Sequence, residues 1–542
     1  MDSCKCPLSY NCYIPLANCS GRLASCLYSI VQAVFEDVEG CGLERREQLS
    51  MPKTLSTLPL NLGQRARGTP LYRWLYDELR RAILSGHLRP GARLPATRDL
   101  AAQYGLSRPT IVTAFEQLRS EGYVEGKVGS GTYVSKTLPD DLLQAPPAKS
   151  EAGTRRRGIP LSAYARRLRP LARSESRPAR AFRASQPALD AFPTALWAQV
   201  AARRLRRVST KLLAGGEALG YRPLREAVAE YLNTSRGVKC TADQVLIISG
   251  VQQALDRTAH LLLDAGDPVW MEEPGYPGAA VVFRAVGAKI CPVSVDSEGL
   301  NLEAGRSRWP RPRLVYLTPA HQFPLGVTMS LRRRLSLLEW ARRSRTIIFE
   351  DDYDSEYRYS GRPIPALQGL DRAAVVIFAG SFTDVLFPAL RLAYLVVPSD
   401  MVDIFAAAES VSTHHPPLID QAILCDFIRE GHFARHVRRM RELYSERLAV
   451  LLESARQRLT GLLEIPEVEA GLRTVGWLQN GILSEAAAQA AAKYDVEVLP
   501  LSKYAYGKSR RNGLVLGFAA VDARELRRGV EALAQALEGW RR

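Results

Sequence analysis

Apolar positions change their spacing along the chain. Leu71, Leu75, Leu79 and Ile83 recur every four residues, one stripe of an amphipathic helix, and Gly86 ends it. After a turn-rich stretch, 87–95, Thr97 is placed to cap a second helix that Gly105 stops. Ser107 is placed to cap a third, whose inner face is Ile111, Phe115 and Leu118 and which Gly122 closes. Tyr123-Val124-Glu125 and Thr132-Tyr133-Val134 flank Gly126 to Gly131, which reads as a β-hairpin. A tight helix-turn-helix followed by a two-stranded wing is the predicted module.

Further along, the helical period gives way to short β-branched or aliphatic runs at 245–248, 314–317, 346–349, 374–378 and 392–397. Such runs predict strands buried on both faces, as in an α/β sheet. Polar residues sit just past several of them, where ligands bind in open α/β folds. Ser249-Gly250-Val251 is a small-residue turn opening a helix, which offers N–H groups and a dipole to a phosphate. Asp351 follows a buried run, where a carboxylate can hold the protonated ring nitrogen of a pyridine cofactor, and the phenol of Tyr353 two residues on can meet its ring oxygen. Ser381 and Thr383 can bond a phosphate that Arg391 neutralises.

Two groups of motifs carry a resemblance. LPATRDLAAQYGLSRPTIVTAFEQLRSEGYVEGKVGSGTYV is similar to the winged helix of the GntR transcription factors throughout its length. Gly220-Tyr221-Arg222-Pro223-Leu224-Arg225, Glu273-Pro274-Gly275-Tyr276-Pro277-Gly278, His321-Gln322-Phe323-Pro324, Asp351-Asp352-Tyr353 and Leu386-Phe387-Pro388-Ala389-Leu390-Arg391 follow in the order found in the MocR branch of that family. The resemblance implies a multidomain α/β protein: an N-terminal winged helix-turn-helix, then a fold-type-I, pyridoxal-phosphate-transferase-like domain with a small C-terminal α+β subdomain. It implies DNA contacts by Arg98, by Ser107, Arg108 and Thr110 at the start of the recognition helix, and by Lys127 and Gly129 in the wing. It further implies a pyridoxal 5′-phosphate site at Ser249, Gly250, Val251, Tyr276 (stacked on the ring), Asp351, Tyr353, Ser381, Thr383 and Arg391. His436 is expected to be structural rather than catalytic.

The chain departs from that pattern where the chemistry is decided. The family has Gly-Ser/Thr-Phe-Ser-Lys before Leu-Phe-Pro-Ala-Leu-Arg, and its lysine forms the Schiff base with the cofactor. Here Gly380-Ser381-Phe382-Thr383 is followed by Asp384. A carboxylate cannot condense with an aldehyde, and no lysine occurs between Lys289 and Lys493. Gly215-Gly216-Glu217-Ala218 replaces the family's Tyr-Gly-Asp-Pro, and Leu325 replaces the threonine of its Pro-Thr-Gly. Relatives hold an amino-acid carboxylate through an arginine near the C-terminus, a role left open here between Arg510, Arg511 and neither.

Three functions are therefore weighed: a regulator with a degenerate cofactor pocket, a regulator holding the cofactor non-covalently, and a pyridoxal-phosphate-dependent aminotransferase with an appended DNA-binding domain. Asp384 counts against the third, since it removes both the covalent anchor and the proton-moving amine; losing a general base alone typically costs roughly 10²–10⁴-fold. No catalytic residue is assigned.

Composition narrows the setting. At 542 residues, 46% apolar and 24% charged, the chain is expected to be globular with more than one core. Lys plus Arg exceed Asp plus Glu by 73 to 56, which favours a polyanionic partner. Residues 1–66 hold Cys4, Cys6, Cys12, Cys19, Cys26 and Cys41 at gaps that match no zinc pair, and Met51 is a second possible start. The apolar run 23–35 is about half the ~20 residues a membrane span needs. The expected organisation is an N-terminal extension (1–66), a winged helix (67–136), an arginine-rich linker (137–185) able to add phosphate contacts, and the aminotransferase-like domain (186–542). Double-stranded DNA, a homodimer partner, a small effector resembling vitamin B6 or an amino acid, no metal, no membrane and a cytoplasmic setting complete the expectations.

Overall fold

The computed structural model describes residues 63, 65–66, 68–127, 130–138, 160–168, 180–184, 186–361, 365–507 and 511–540. The six N-terminal cysteines, Met51, Gly129, Arg510 and most of the linker lie outside the described residues. The chain divides into two compact units, Met1–Arg157 and Gly158–Arg542.

In the first unit, α1 (Leu71–Leu84), α2 (Thr97–Tyr104) and α3 (Arg108–Ser120) precede β1 (Val124–Lys127) and β2 (Gly131–Val134). Leu75, Leu79 and Ile83 of the α1 stripe pack with Leu100, Ile111, Phe115 and Leu118, while Leu71 is left exposed at its end. Gly105 ends α2 in the left-handed region (φ 64°), which a Cβ would disfavour. Thr97 is not the cap expected of it: it is already helical, and Ala96 precedes it with no side-chain bond to the helix. Ser107 does cap α3, accepting from the Thr110 N–H at 3.4 Å. The wing pairs antiparallel from Val124 opposite Val134 to Lys127 opposite Gly131.

The second unit is built on an eight-stranded sheet. Its strands are β3 (Val245–Ile248), β4 (Pro268–Glu273), β5 (Lys289–Asp296), β6 (Gly299–Leu300), β7 (Leu314–Leu317), β8 (Ile347–Asp352), β9 (Val376–Ser381) and β10 (Ala393–Val396). Their spatial order is β3-β10-β9-β8-β7-β4-β5-β6. The pairs from β9 through β8, β7 and β4 to β5 are parallel, whereas β10 is antiparallel to both β9 and β3. Every residue of β3, β7 and β10 is buried, as near-continuous apolar runs require in a sheet covered on both faces.

A second sheet, ordered β11-β12-β14-β13, forms the small subdomain from β11 (Leu463–Glu464), β12 (Arg473–Leu478), β13 (Leu499–Pro500) and β14 (Gly513–Gly517), all pairs antiparallel. The helix Ala523–Leu537 and the long helix His432–Arg458 pack one another beside it around Leu448, Leu451, Leu526 and Leu533. Ala181 and Phe182, in the stretch expected to be linker, join this core: Gly517 N–H donates to the Phe182 carbonyl (3.0 Å) and Glu497 N–H to that of Ala181 (3.2 Å). Arg183 anchors the same segment on Glu497 at 2.8 Å.

Candidate functional site

The strand directions gather the chemistry at one edge of the large sheet. Residues just past, or at, the C-terminal ends of β3, β4, β7, β8 and β9 meet there, the place where α/β sheets bind ligands. Because β10 runs the other way, its N-terminal end shares that edge and brings Arg391 to it. One cavity is lined by Gly250, Val251, Tyr276, Asp351, Tyr353, Ser381, Thr383 and Arg391, and by Asp384. Ser249 is not on its wall; its N–H donates to Gln253 Oε1 at 2.7 Å.

Asp351 is 4% exposed and sits inside β8 rather than beyond it, paired in the ladder with Ala379. Its Oδ2 accepts from the Tyr316 hydroxyl at 2.8 Å, while Oδ1 is buried without a partner. Burial pushes the carboxyl up to about 7 against the pull of that hydroxyl, with Asp352, Asp384 and Asp354 adding to the rise. A buried, unmatched acceptor at a cavity wall is suited to a donor such as a protonated ring nitrogen.

At the other end, Gly250 (φ 143°) opens the helix Val251–Leu262, whose first-turn N–H groups lie at the cavity. At φ 143° a side chain would be strained whatever the space, and a Cβ on Gly250 would also stand 3.0 Å from the Arg391 guanidinium. Ser381 Oγ accepts from Thr383 N–H at 3.1 Å, turning the chain from β9 toward Asp384. Tyr276 accepts from Gln252 Nε2 at 2.9 Å and meets Phe323 edge-on at 5.4 Å.

A second cation of the cavity has no counterpart among the sequence motifs. Arg473, the first residue of β12, is 2% exposed, lines the cavity and stands 3.8 Å from both Asp354 and Asp384. Its guanidinium lies over the rings of Phe323 (4.7 Å) and Tyr353 (4.8 Å). Asp354 in turn takes His321 Nδ1 at 3.0 Å, and the Tyr353 hydroxyl donates to the His321 carbonyl at 2.8 Å. Burial, with Asp354 adding to it, pushes the Asp384 carboxyl up to about 6 against the pull of Arg473. Tyr316, Thr318, Gln252 and Phe323 were likewise not anticipated on this wall. Among the described residues, none on this wall is a lysine.

Residues outside the cavity have other partners. Arg511 donates to the Val295 carbonyl at 3.1 Å. His436 is buried with Nε2 at 3.0 Å from the Val385 carbonyl, and burial holds it down to about 4. Glu217 pairs with the buried Arg225.

In the winged helix, Arg98, Ser107, Arg108 and Lys127 are exposed and Thr110 is half-buried. Lys127 lies 5.2 Å from the Tyr133 ring across the hairpin. Among the described residues no cluster of His, Cys, Asp and Glu suits a metal ion, and no helix is long and apolar enough to cross a membrane.

Comparison with known proteins follows the same division. Residues 71–134 match the sequence model of the bacterial regulatory proteins of the gntR family, and 188–533 that of aminotransferase class I and II. The probable rhizopine catabolism regulatory protein MocR of Rhizobium meliloti is 42% identical over 86% of this chain and 94% of its own. YdeL, an uncharacterised HTH-type transcriptional regulator of Bacillus subtilis, is 32% identical over 86% of this chain and 96% of its own. Among solved structures, the α-aminoadipate aminotransferase LysN of Thermus thermophilus, complexed with N-(5′-phosphopyridoxyl)-L-leucine, is 30% identical with a TM-score of 0.62, over 66% of this chain and 92% of that one. The chain therefore belongs to the MocR-type regulators of the GntR family, in which a GntR helix-turn-helix is joined to an aminotransferase-like domain.

Proposed function

We propose that this regulator binds specific double-stranded DNA as a homodimer, and that its aminotransferase-like domain is a dimerisation and effector module whose cavity takes a phosphopyridine of the vitamin B6 type without a covalent link. The observation that carries this reading is the cavity wall itself, which joins Tyr276, Asp351, Ser381, Thr383 and Arg391 to Asp384 and holds no lysine among the described residues.

Ring nitrogen, ring face and phosphate of pyridoxal 5′-phosphate would each find a partner among the residues present, whereas the anchoring amine, the tyrosine of the family's Tyr-Gly-Asp-Pro and the threonine of its Pro-Thr-Gly are missing. The unmatched Oδ1 of Asp351 would accept the ring N–H, Tyr276 would cover the ring, and the Val251 helix start with Ser381, Thr383 and Arg391 would take the phosphate. In enzymes of this fold the cofactor supplies an electron sink for amino-group transfer. That chemistry needs an amine at the anchoring position; Asp384 follows Gly380-Ser381-Phe382-Thr383 where the family pattern has one. A binding module is therefore favoured over a transaminase. In the winged helix, Arg98, Ser107, Arg108 and Thr110 would meet bases and phosphates, and Lys127 and Gly129 would approach the backbone from the wing.

The test is a gel-shift titration of the full chain on its own upstream DNA, with and without pyridoxal 5′-phosphate. Sequence-selective retention that changes with the ligand supports both halves of the proposal. Equal affinity for unrelated duplexes, or indifference to the ligand, contradicts one or the other.

A further inference from the structure

A phosphopyridine seated as described sets none of its ring or phosphate groups against one carboxylate of the cavity, Asp384. Its ring nitrogen would be taken by Asp351 and its phosphate by the Arg391 end. Asp384 lies on the same wall, one residue past Thr383, with its side chain 16% exposed. Among the described residues no donor hydrogen-bonds it; the nearest cation, Arg473, is 3.8 Å away and equally distant from Asp354. Arg473 is thus shared between two acids and committed to the faces of Phe323 and Tyr353. Among the described residues the other charged groups of this wall are Asp351 and Arg391, the latter given to the phosphate, and Asp354 adds a further acid beside Asp384, so the ligand group that best completes its surroundings is a positively charged donor.

From this juxtaposition we infer that the cavity selects the amine form of the vitamin, pyridoxamine 5′-phosphate, over the aldehyde, with Asp384 as the residue that reads the difference. The inference rests on the proposed reading of the cavity as a phosphopyridine site. A primary amine is an ammonium at neutral pH, like a lysine side chain, and donates up to three hydrogen bonds to carboxylate oxygens. An aldehyde has only an acceptor oxygen to set against the same oxygens. The alcohol, pyridoxine 5′-phosphate, donates one neutral hydrogen bond and belongs between them. Burial and Asp354 leave the Asp384 carboxyl at about 6, still ionised at neutral pH and stabilised by any cation brought beside it. The residue that forbids a covalent anchor becomes, on this account, the residue that recognises the ligand carrying its own amine.

The affinity order expected is amine, then alcohol, then aldehyde. A hydrogen bond involving a charged group contributes enough for roughly ten- to a hundredfold in affinity, which sets the span between amine and aldehyde. The alcohol separates charge recognition from simple steric fit, because it is nearly isosteric with the amine and cannot condense with a surface amine as the aldehyde can.

The experiment is isothermal titration calorimetry of the full-length protein at neutral pH with pyridoxamine, pyridoxine and pyridoxal 5′-phosphates, repeated on Asp384→Asn and Asp384→Glu. The expected result is about tenfold or greater preference for the amine over the alcohol, retained in the glutamate variant and reduced to within about threefold in the asparagine variant. Equal binding of all three by the unsubstituted protein overturns the selectivity while leaving the cavity reading intact. A preference that survives Asp384→Asn, in a variant that melts like the parent, removes Asp384 as its cause. Binding of none of the three overturns the cavity reading and the selectivity with it.

Discussion

Arg473 and Asp384 face each other at 3.8 Å across the cavity, although 89 positions separate them in sequence (473 minus 384): Arg473 opens β12 of the small sheet, and Asp384 lies in the turn that follows β9 of the large one. The guanidinium is held on the other side by Asp354, also at 3.8 Å. This bridge ties the small subdomain to the edge of the large sheet where the candidate ligand site lies.

Replacing Arg473 by leucine should leave two acids facing one another in a poorly solvated site. Removing one partner of a buried ion pair typically costs about 3–5 kcal/mol. We expect a loss of about that size in chemical denaturation of Arg473→Leu, with part of it recovered when Asp384→Asn is added. A loss under about 1 kcal/mol, or no recovery in the double variant, would show that the bridge is not what holds these groups.

Gly471 supports the same network from the turn before β12. It sits at φ 89°, and a Cβ there would overlap the His321 ring and stand 2.7 Å from Asp354 Oδ2. Gly471→Ala is expected to destabilise by at least about 2 kcal/mol, since backbone strain and a clash act together. Thermal melting beside Gly481→Ala, a left-handed turn glycine with open space around it, isolates the clash from the strain. Equal losses in the two variants would refute the packing argument.

Stability should depend on pH through buried acids. Burial pushes Glu272, Glu350 and Asp351 each up to about 7. A carboxyl that keeps its proton in the fold, but has lost it in the unfolded chain above about pH 4, contributes stability that disappears as pH rises through 7. The melting temperature of the cofactor-free protein should therefore rise between about pH 8 and pH 6.5. Below that window His436, held down to about 4, works in the opposite direction, because the unfolded imidazole gains a proton that the buried one refuses. A melting temperature that falls steadily from pH 8 to 6.5 would contradict the assignment.

In the winged helix, Arg108→Ala and Lys127→Ala should fail differently. Arg108 opens the recognition helix, so its loss is expected to cost about 1–3 kcal/mol on the cognate site and to relax sequence preference there. Lys127, exposed in the wing, is expected to weaken all duplexes alike and to reduce the salt slope by about one. Fluorescence anisotropy on cognate and scrambled duplexes at several salt concentrations distinguishes the two. A uniform loss for both variants would place Arg108 on the phosphate backbone instead.

Much of this architecture was legible because it rests on short-range rules. The runs at 245–248 and 314–317 became β3 and β7 with the same bounds, since a fully buried strand leaves an unbroken apolar signature. β8 extends through Asp351 and Asp352, which polarity alone marked as loop. Asp352 is tolerated there because Arg236, 116 positions away, reaches it at 2.8 Å. That is a tertiary fact with no local trace. Arg473 was missed for the same reason: it sits in an ordinary strand, and only the docking of the small subdomain turns it toward Asp384. Thr97 misled because a threonine before an amphipathic run suits a cap, yet the helix begins one residue earlier and leaves Ala96 in that place.

If the cavity holds its ligand without a covalent bond, the intact mass of the protein will report it. Full-length protein incubated with pyridoxal 5′-phosphate, treated with borohydride and exhaustively dialysed should keep the mass of the unmodified chain, while Asp384→Lys treated alike should gain one reduced phosphopyridoxyl group. A stoichiometric adduct on the unsubstituted chain, mapped to a lysine that reaches the cavity, would mean that the ligand is anchored covalently after all.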